Sequence, residues 1–228
     1  FAKSRFETID MTRVVPAEYT KTPPGDPAKF GGVPPEGDAD DTKGPGHTTH
    51  LSVMDKAGNA VSLTQTIGTF FGSGVTAAGV LFNNGVNNFA VVSRRNKLEP
   101  GKQPRSSISP SVLVKDGKAV MVLGSPGGNR ITAAVLTLLV NLVDYRMTAD
   151  EANAAARFMC QKADPVLSME SRFTPAVVAA MQQRGHTLRL YGELDLFFGG
   201  SQIIVADPAR RTYHGSADPR RGGSAMGF

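Results

Sequence analysis

Between Leu51 and Thr66 the chain reads as two strands joined by a tight turn, with Lys56-Ala57-Gly58-Asn59 after Asp55 supplying the turn. A second hairpin is predicted where Val112-Leu113-Val114-Lys115 and Ala119-Val120-Met121-Val122-Leu123 bracket Asp116-Gly117. From Ile131 to Tyr145 nearly every face is apolar over about four turns, which predicts a buried helix. Thr148-Ala149-Asp150-Glu151 is a capping box ahead of a helix over Ala152 to Phe158. Thr174-Pro175 starts a third helix, which Gly185 stops after Arg184. Strands resume at Thr187–Leu190 and at Gln202–Val205, the latter hairpinned through Asp207-Pro208. Strands, then helices, then strands predict an α+β chain, a two-layer sandwich flanked by helices. No internal repeat is visible.

The first 47 residues break these rhythms. They hold seven of the fifteen prolines, including Pro23-Pro24 and Pro34-Pro35, with Gly31-Gly32 and the acidic Asp38-Ala39-Asp40-Asp41. Such a run buries too little apolar area to offset its ordering entropy. Phe1 to about Arg13 reads as the tail of a helix belonging to something upstream. With no starting methionine, the sequence reads as a piece of a longer chain.

Composition adds bounds rather than chemistry. With 228 residues and 40% hydrophobic content the chain can bury one sizeable core. The net charge of +5 suggests an anionic partner, yet no basic run is interleaved with aromatics, so nucleic-acid binding is not expected. Arg94-Arg95, Arg210-Arg211 and Arg220-Arg221 read as solvated loop charges. Cys160 is the sole cysteine, which excludes an internal disulfide, and it reads as a buried, inert thiol. His47, His50, His186 and His214 show no metal spacing, so no metal is expected; His50 reads as a strand residue. Neither a signal peptide nor a membrane span is predicted in these residues, and the compartment stays open between periplasm and cytoplasm.

Thr48-Thr49-His50 sits where the Pro- and Gly-rich run gives way to the first strand. A hydroxyl between a disposable linker and a strand suits a self-cleaving hydrolase. Cleavage before Thr48 would give it a free α-amino group, a base beside its own hydroxyl. β-Branched residues also simply begin strands, and on these residues alone that is the plainer reading. Gly127-Gly128, in a glycine-rich turn opening onto the helix at Ile131, offers two backbone N–H groups as an anion-binding nest suited to an oxyanion hole. A phosphate site is the weaker reading of this turn, since no Walker lysine follows.

Taken in order, the set is specific: Thr48, Thr66 eighteen residues on, Phe82-Asn83-Asn84-Gly85, Pro104-Arg105-Ser106-Ser107-Ile108-Ser109-Pro110, Gly124-Ser125-Pro126-Gly127-Gly128-Asn129-Arg130 and Gly215-Ser216-Ala217-Asp218-Pro219-Arg220. From about Thr48 to the C-terminus it resembles the small, catalytic subunit of the γ-glutamyltranspeptidase family of N-terminal-nucleophile hydrolases. That resemblance implies a four-layer αββα sandwich. Residues 1–47 would be the C-terminal end of a large subunit and a linker, and residues 48–228 the small catalytic subunit. It implies autocleavage between His47 and Thr48, a heterodimer with the large subunit of the same precursor, a small-molecule amide substrate and no cofactor. By the same resemblance Thr66 orients the Thr48 hydroxyl, and Ser106 and Ser107 hold the substrate's α-carboxylate. Without it, Thr66 is a strand threonine and the two serines are loop residues.

The departures from the family pattern bear on specificity. Positions that hold the substrate's α-ammonium in γ-glutamyl enzymes carry Gly68, Gly85 and Asn88 here, with no acidic partner. A buried, unpaired ammonium is costly. The expected acyl group therefore lacks the α-amino group, as in glutaryl-type or small-acid amides such as oxamate. A true γ-glutamyl transferase or glutathione hydrolase is the alternative. A non-catalytic structural relative is the third reading, disfavoured by the joint presence of Thr48, Thr66 and Gly127-Gly128.

Overall fold

The computed structural model describes residues 47–89, 96–161 and 164–227, with Lys3, Glu7 and Thr12 besides. The expected helix tail at Phe1 to Arg13, the Pro- and Gly-rich run up to Gly46, and Arg94-Arg95 otherwise lie outside the described residues. Strands β1 (His47–Met54) and β2 (Ala60–Gly68) form an antiparallel hairpin. Asp55 closes its turn, its Oδ1 accepting from the backbone N–H of Ala57 and Asn59, both at 2.9 Å. Two short strands, β3 (Thr76–Ala77) and β4 (Val80–Leu81), follow. Next come the hairpin of β5 (Ser111–Lys115) and β6 (Lys118–Gly124), then helices α1 (Ile131–Val143) and α2 (Ala149–Ala154). The chain continues through β7 (Phe158–Gln161), β8 (Asp164–Glu170), α3 (Pro175–Gln183) and β9 (Leu188–Tyr191). It closes with the hairpin of β10 (Gln202–Asp207) and β11 (Thr212–Ala217).

The central sheet is antiparallel, in the order β11-β10-β6-β5. Strand alternation sorts its faces. Leu123 and Ile203 are paired across the ladder and pack with Ile131, Val135, Leu138 and Leu142 of α1 and with Ala149 and Ala152 of α2. Gly124 faces the other way and carries the β1–β2 hairpin, with His50 lying on it. The layers are thus hairpin, sheet and helices. A smaller sheet, β7-β8-β9, stands apart, with β8 and β9 parallel.

The hairpin wears its polarity inside out. Thr48, His50 and Ser52 point toward the central sheet, and Ser52 and Ser62 donate to the carbonyls of Gln202 and Leu123, each at 3.0 Å. Its outer face presents Leu51, Val53, Val61 and Leu63, 53%, 43%, 51% and 44% exposed. Alternation is strict but the apolar face is the one left open, as it would be for a strand pair that something else covers.

Four expectations need correction. The α1 helix is not buried all round, since Leu136 and Val143 are exposed on its outer side, and it ends at Val143. The capping box at Thr148 forms, but α2 stops at Ala154 rather than Phe158. There Phe158 pairs with Met169 and the Arg157 N–H donates to Glu170 Oε2, so the ladder with β8 takes over the backbone. Cys160 is exposed, because β7 is an edge strand whose side chains alternate outward. Arg220 is not solvated either.

Arg220 belongs to a buried charge cluster that pins the C-terminal segment. Its Nε and Nη2 donate to the two oxygens of Glu170 at 2.6 and 2.7 Å. Arg157 pairs with Asp218 at 2.6 Å, and Asp218 accepts from the N–H and hydroxyl of Ser201. Burial pushes the Asp218 carboxyl up, but Arg157 and the backbone donors outweigh it and hold the group below its usual range. All four ions are buried and paired, the condition under which buried charge is tolerated. Arg210, by contrast, is a solvated loop charge.

Candidate active site

Thr48 and Thr66 stand opposite each other in the β1–β2 ladder, so their side chains share a face. The register shifts between His47 and Thr48, a bulge that takes this one peptide out of the regular ladder. Thr48 is buried, and its hydroxyl donates to Thr66 Oγ1 at 3.2 Å. Thr66 Oγ1 in turn donates to the His47 carbonyl at 2.9 Å and accepts from the Gly68 N–H at 2.9 Å. A hydroxyl has one proton and two lone pairs, and these three contacts use all of them. Thr48 must therefore be the donor in the Thr48–Thr66 bond, which leaves its own lone pairs free beside the His47–Thr48 peptide. The His47 ring lies against Phe70, centroids 3.5 Å apart.

Two residues on, His50 anchors this end of β1. Its Nδ1 is 2.6 Å from Thr64 Oγ1 and its Nε2 3.1 Å from Ser52 Oγ. Burial lowers its pKa to about 4, so the ring is neutral at ordinary pH. A Cβ on Gly124 would come within 2.3 Å of the ring, so only glycine fits there. In the sequence Gly124 is only one letter of a motif; its place at the end of β6 and its contact with His50 are set by the fold.

Gly124 leads through Ser125-Pro126 into Gly127-Gly128. Both glycines have positive φ, 145° and 60°, conformations that side chains resist. A short 3₁₀ turn over Gly128–Arg130 then opens α1. Ser107 Oγ donates to the Gly128 carbonyl at 2.8 Å, which ties the Ser106-Ser107 pair to this turn; Ser106 itself is exposed. Gly68 meets Asn84, whose Oδ1 would lie 1.7 Å from any Cβ placed on it. Asn84 also accepts from the Thr69 N–H and precedes the 3₁₀ turn Gly85–Asn88, so Gly68, Gly85 and Asn88 gather around one corner.

A cleft of about 380 Å³ opens at the threonine pair, lined by His47, Thr48, Thr49, Gln65, Thr66, Ile67 and Arg221. Ser106, Ser107, Gly127, Gly128, Gly85 and Asn88 are not on its wall. Among the described residues no group of His, Cys, Asp and Glu could hold a metal ion, and no helix is long and apolar enough to cross a membrane.

The family profile described as Gamma-glutamyltranspeptidase matches residues 1–228. The chain belongs to the γ-glutamyltranspeptidase family. It is 35% identical to the glutathione hydrolase proenzyme of Escherichia coli over 96% of its own length and 37% of that relative's. It thus spans little more than a third of the curated relatives it matches. Among solved structures, a highly active mutant of γ-glutamyltranspeptidase from Pseudomonas nitroreducens superposes with a TM-score of 0.70 at 34% identity, covering 79% of this chain and 98% of that one. A cephalosporin acylase from Bacillus halodurans gives 0.71 at 26% identity, covering 78% of this chain and 34% of that one. These neighbours give the chain an N-terminal-nucleophile hydrolase fold of mixed helix and sheet.

Proposed function

We propose that this chain carries the catalytic part of a self-processing amidohydrolase or acyltransferase whose nucleophile is Thr48. The observation that carries it is the hydroxyl chain from Thr48 through Thr66 to the His47 carbonyl. In the precursor Thr48 Oγ1 attacks the His47 carbonyl carbon. Thr66 donates to the oxygen on which negative charge grows, as an oxyanion donor does. The C–N bond then breaks as the proton given up by the Thr48 hydroxyl passes to the departing nitrogen, leaving an ester on Thr48 Oγ1 and a free α-amino group. Water cleaves the ester and releases the His47 carboxylate. In the mature enzyme that amino group, with a pKa near ~8, takes the hydroxyl proton as Thr48 attacks the substrate amide. The amine half departs with the proton, and water or an acceptor amine resolves the acyl-enzyme. Gly127 and Gly128 are assigned the oxyanion hole of this second reaction, and Ser106 and Ser107 the acyl carboxylate.

The same reading makes residues 1–47 the end of a large subunit and residues 48–228 the small one. Helices of the large subunit would cover Leu51, Val53, Val61 and Leu63 and complete the four-layer αββα sandwich. Gly68, Gly85 and Asn88 leave the acyl pocket without an acid, so the favoured acyl group lacks an α-amino group, as in glutaryl or oxamate-like amides; the acylase neighbour accords with this. A true γ-glutamyl transferase or glutathione hydrolase is the second reading, favoured by the similarity to glutathione hydrolase proenzymes. The deciding experiment is the mass and N-terminal sequence of the full-length product. A new terminus at Thr48, and a Thr48→Ala protein that stays one chain, are expected. Normal splitting of Thr48→Ala would remove Thr48 from the mechanism.

A further inference from the structure

One side chain on the cleft wall has no role in the scheme above. Arg221 follows directly on the locked pair Asp218 and Arg220, and its N–H donates to the Asp218 carbonyl at 3.2 Å. Its aliphatic stem runs over Gly200, where a Cβ would lie 2.4 Å from Arg221 Cδ. The backbone and stem are therefore fixed by their surroundings, while the head is left over. Its Nε is buried with no hydrogen-bond partner, and no carboxylate among the described residues pairs with it. A second cation lies within electrostatic reach of it. Arg130 donates through Nε to the Phe197 carbonyl at 2.7 Å and lies 4.5 Å over the Phe197 ring, also without an acid. Burial, and secondarily the nearby Arg221 charge, holds Arg130 below the usual arginine range despite an opposing contribution from Tyr191.

We propose that Arg221 forms a carboxylate-binding subsite of the Thr48 cleft, and that it takes the carboxylate on the amine half of the amide. This rests on the amide-transfer reading of the cleft. The acyl half already has its carboxylate partners in Ser106 and Ser107, which are tied to Gly128 and lie off this wall. What remains beside Thr48 is the side from which the leaving amine departs and to which an acceptor amine returns. Those two species occupy the same place in turn, so one guanidinium serves both. An amino acid or short peptide, carrying a carboxylate beyond its amine, is the class that fits. An orphaned guanidinium on a half-open wall gains most from such a group, because a planar fork meets a carboxylate with paired N–H donors.

The test uses the processed two-chain enzyme from the full-length precursor. Substrates are glutaryl-4-nitroanilide and glutaryl-3-carboxy-4-nitroanilide, or the same pair with a γ-glutamyl acyl group, so that only the leaving group's carboxylate differs. Arg221→Gln keeps the stem over Gly200 and removes the charge. It should lower the ratio of carboxylated to plain kcat/KM about tenfold to a hundredfold, with Arg221→Lys restoring part of it. Transfer to glycylglycine against its C-terminal amide should show the same loss for the acceptor. Calorimetry gives a readout without turnover: the enzyme should bind glycylglycine more tightly than the amide, and Arg221→Gln should erase the difference. Such binding with no hydrolysis of any anilide would sink the amide-transfer reading and leave the subsite standing. Equal loss on both anilides, no binding difference in the unmodified enzyme, or an Arg221→Gln precursor that fails to split would overturn the subsite and make Arg221 a structural residue.

Discussion

The imidazole of His50 rests on the bare backbone of Gly124, so close that a Cβ at position 124 would lie 2.3 Å from the ring. This contact joins the strand that begins at Thr48 to the strand that leads into Gly127-Gly128. Both parts of the proposed site are thereby hung from one point, His50 two residues after Thr48 and Gly124 three before Gly127.

Gly124→Ala tests that hinge. The methyl group must push the ring or the strand away, an overpacking cost of about 1–3 kcal/mol. A lower melting temperature together with slower splitting at Thr48 is expected. Lost stability with unchanged splitting would show that the contact supports the fold without setting the site.

The same histidine sets a pH dependence. Its pKa is about 4 in the fold and near ~6.5 when unfolded. Between these values the unfolded chain binds more protons, so stability falls as pH drops through that window and is fully present above it. Asp218, held below its usual range, contributes its loss at still lower pH. Thermal melts of His50→Gln should therefore show a flatter slope between pH 6.5 and 4 than the unmodified protein, whatever their absolute midpoint. An unchanged slope would assign that window to another group.

Thr66 offers a test specific to maturation. Thr66→Val removes the donor to the His47 carbonyl but keeps the β-branched shape in the strand. Splitting of the full-length precursor, followed on gels over time, should slow about 10²–10³-fold, as for one lost oxyanion donor. Thr66→Ser, which keeps the hydroxyl, should stay near the original rate. If the valine variant splits as fast as the threonine, the hydroxyl chain plays no part in cleavage.

Substrate choice tests the corner at Gly68, Gly85 and Asn88. A glutaryl and a γ-glutamyl amide differ by one ammonium, and a charge-assisted contact is worth on the order of 1.5–3 kcal/mol. The enzyme should favour glutaryl-4-nitroanilide over the γ-glutamyl compound, and Asn88→Asp should narrow or reverse the order. Gly68→Asn is a poorer probe: with φ at 90° and Asn84 Oδ1 only 1.7 Å from its Cβ, that position has no room for the change. A clear preference for the γ-glutamyl compound in the unmodified enzyme would return the acyl pocket to the second reading.

The sequence by itself determined the family and most local elements. Turn chemistry at Asp55 and Asp207, the capping box at Thr148 and the Thr174-Pro175 start are short-range signals, complete within a few residues, and each appears where it was read. The helix expected to run to Phe158 ends at Ala154 because a long-range partner, β8, takes over the chain at Arg157. Only the tertiary structure decided that Arg220 is buried, since a guanidinium can leave water only when Glu170, fifty residues away, comes to meet it. It alone decided that His50 lies on Gly124 and that Arg221 turns its unpaired head to the Thr48 cleft. The bulge at His47 likewise depends on which residue of β2 stands opposite, a register that no stretch of β1 encodes alone. Spacing along a chain fixes what neighbours do to one another; which side chain fills the space above a glycine is fixed only when distant strands are stacked.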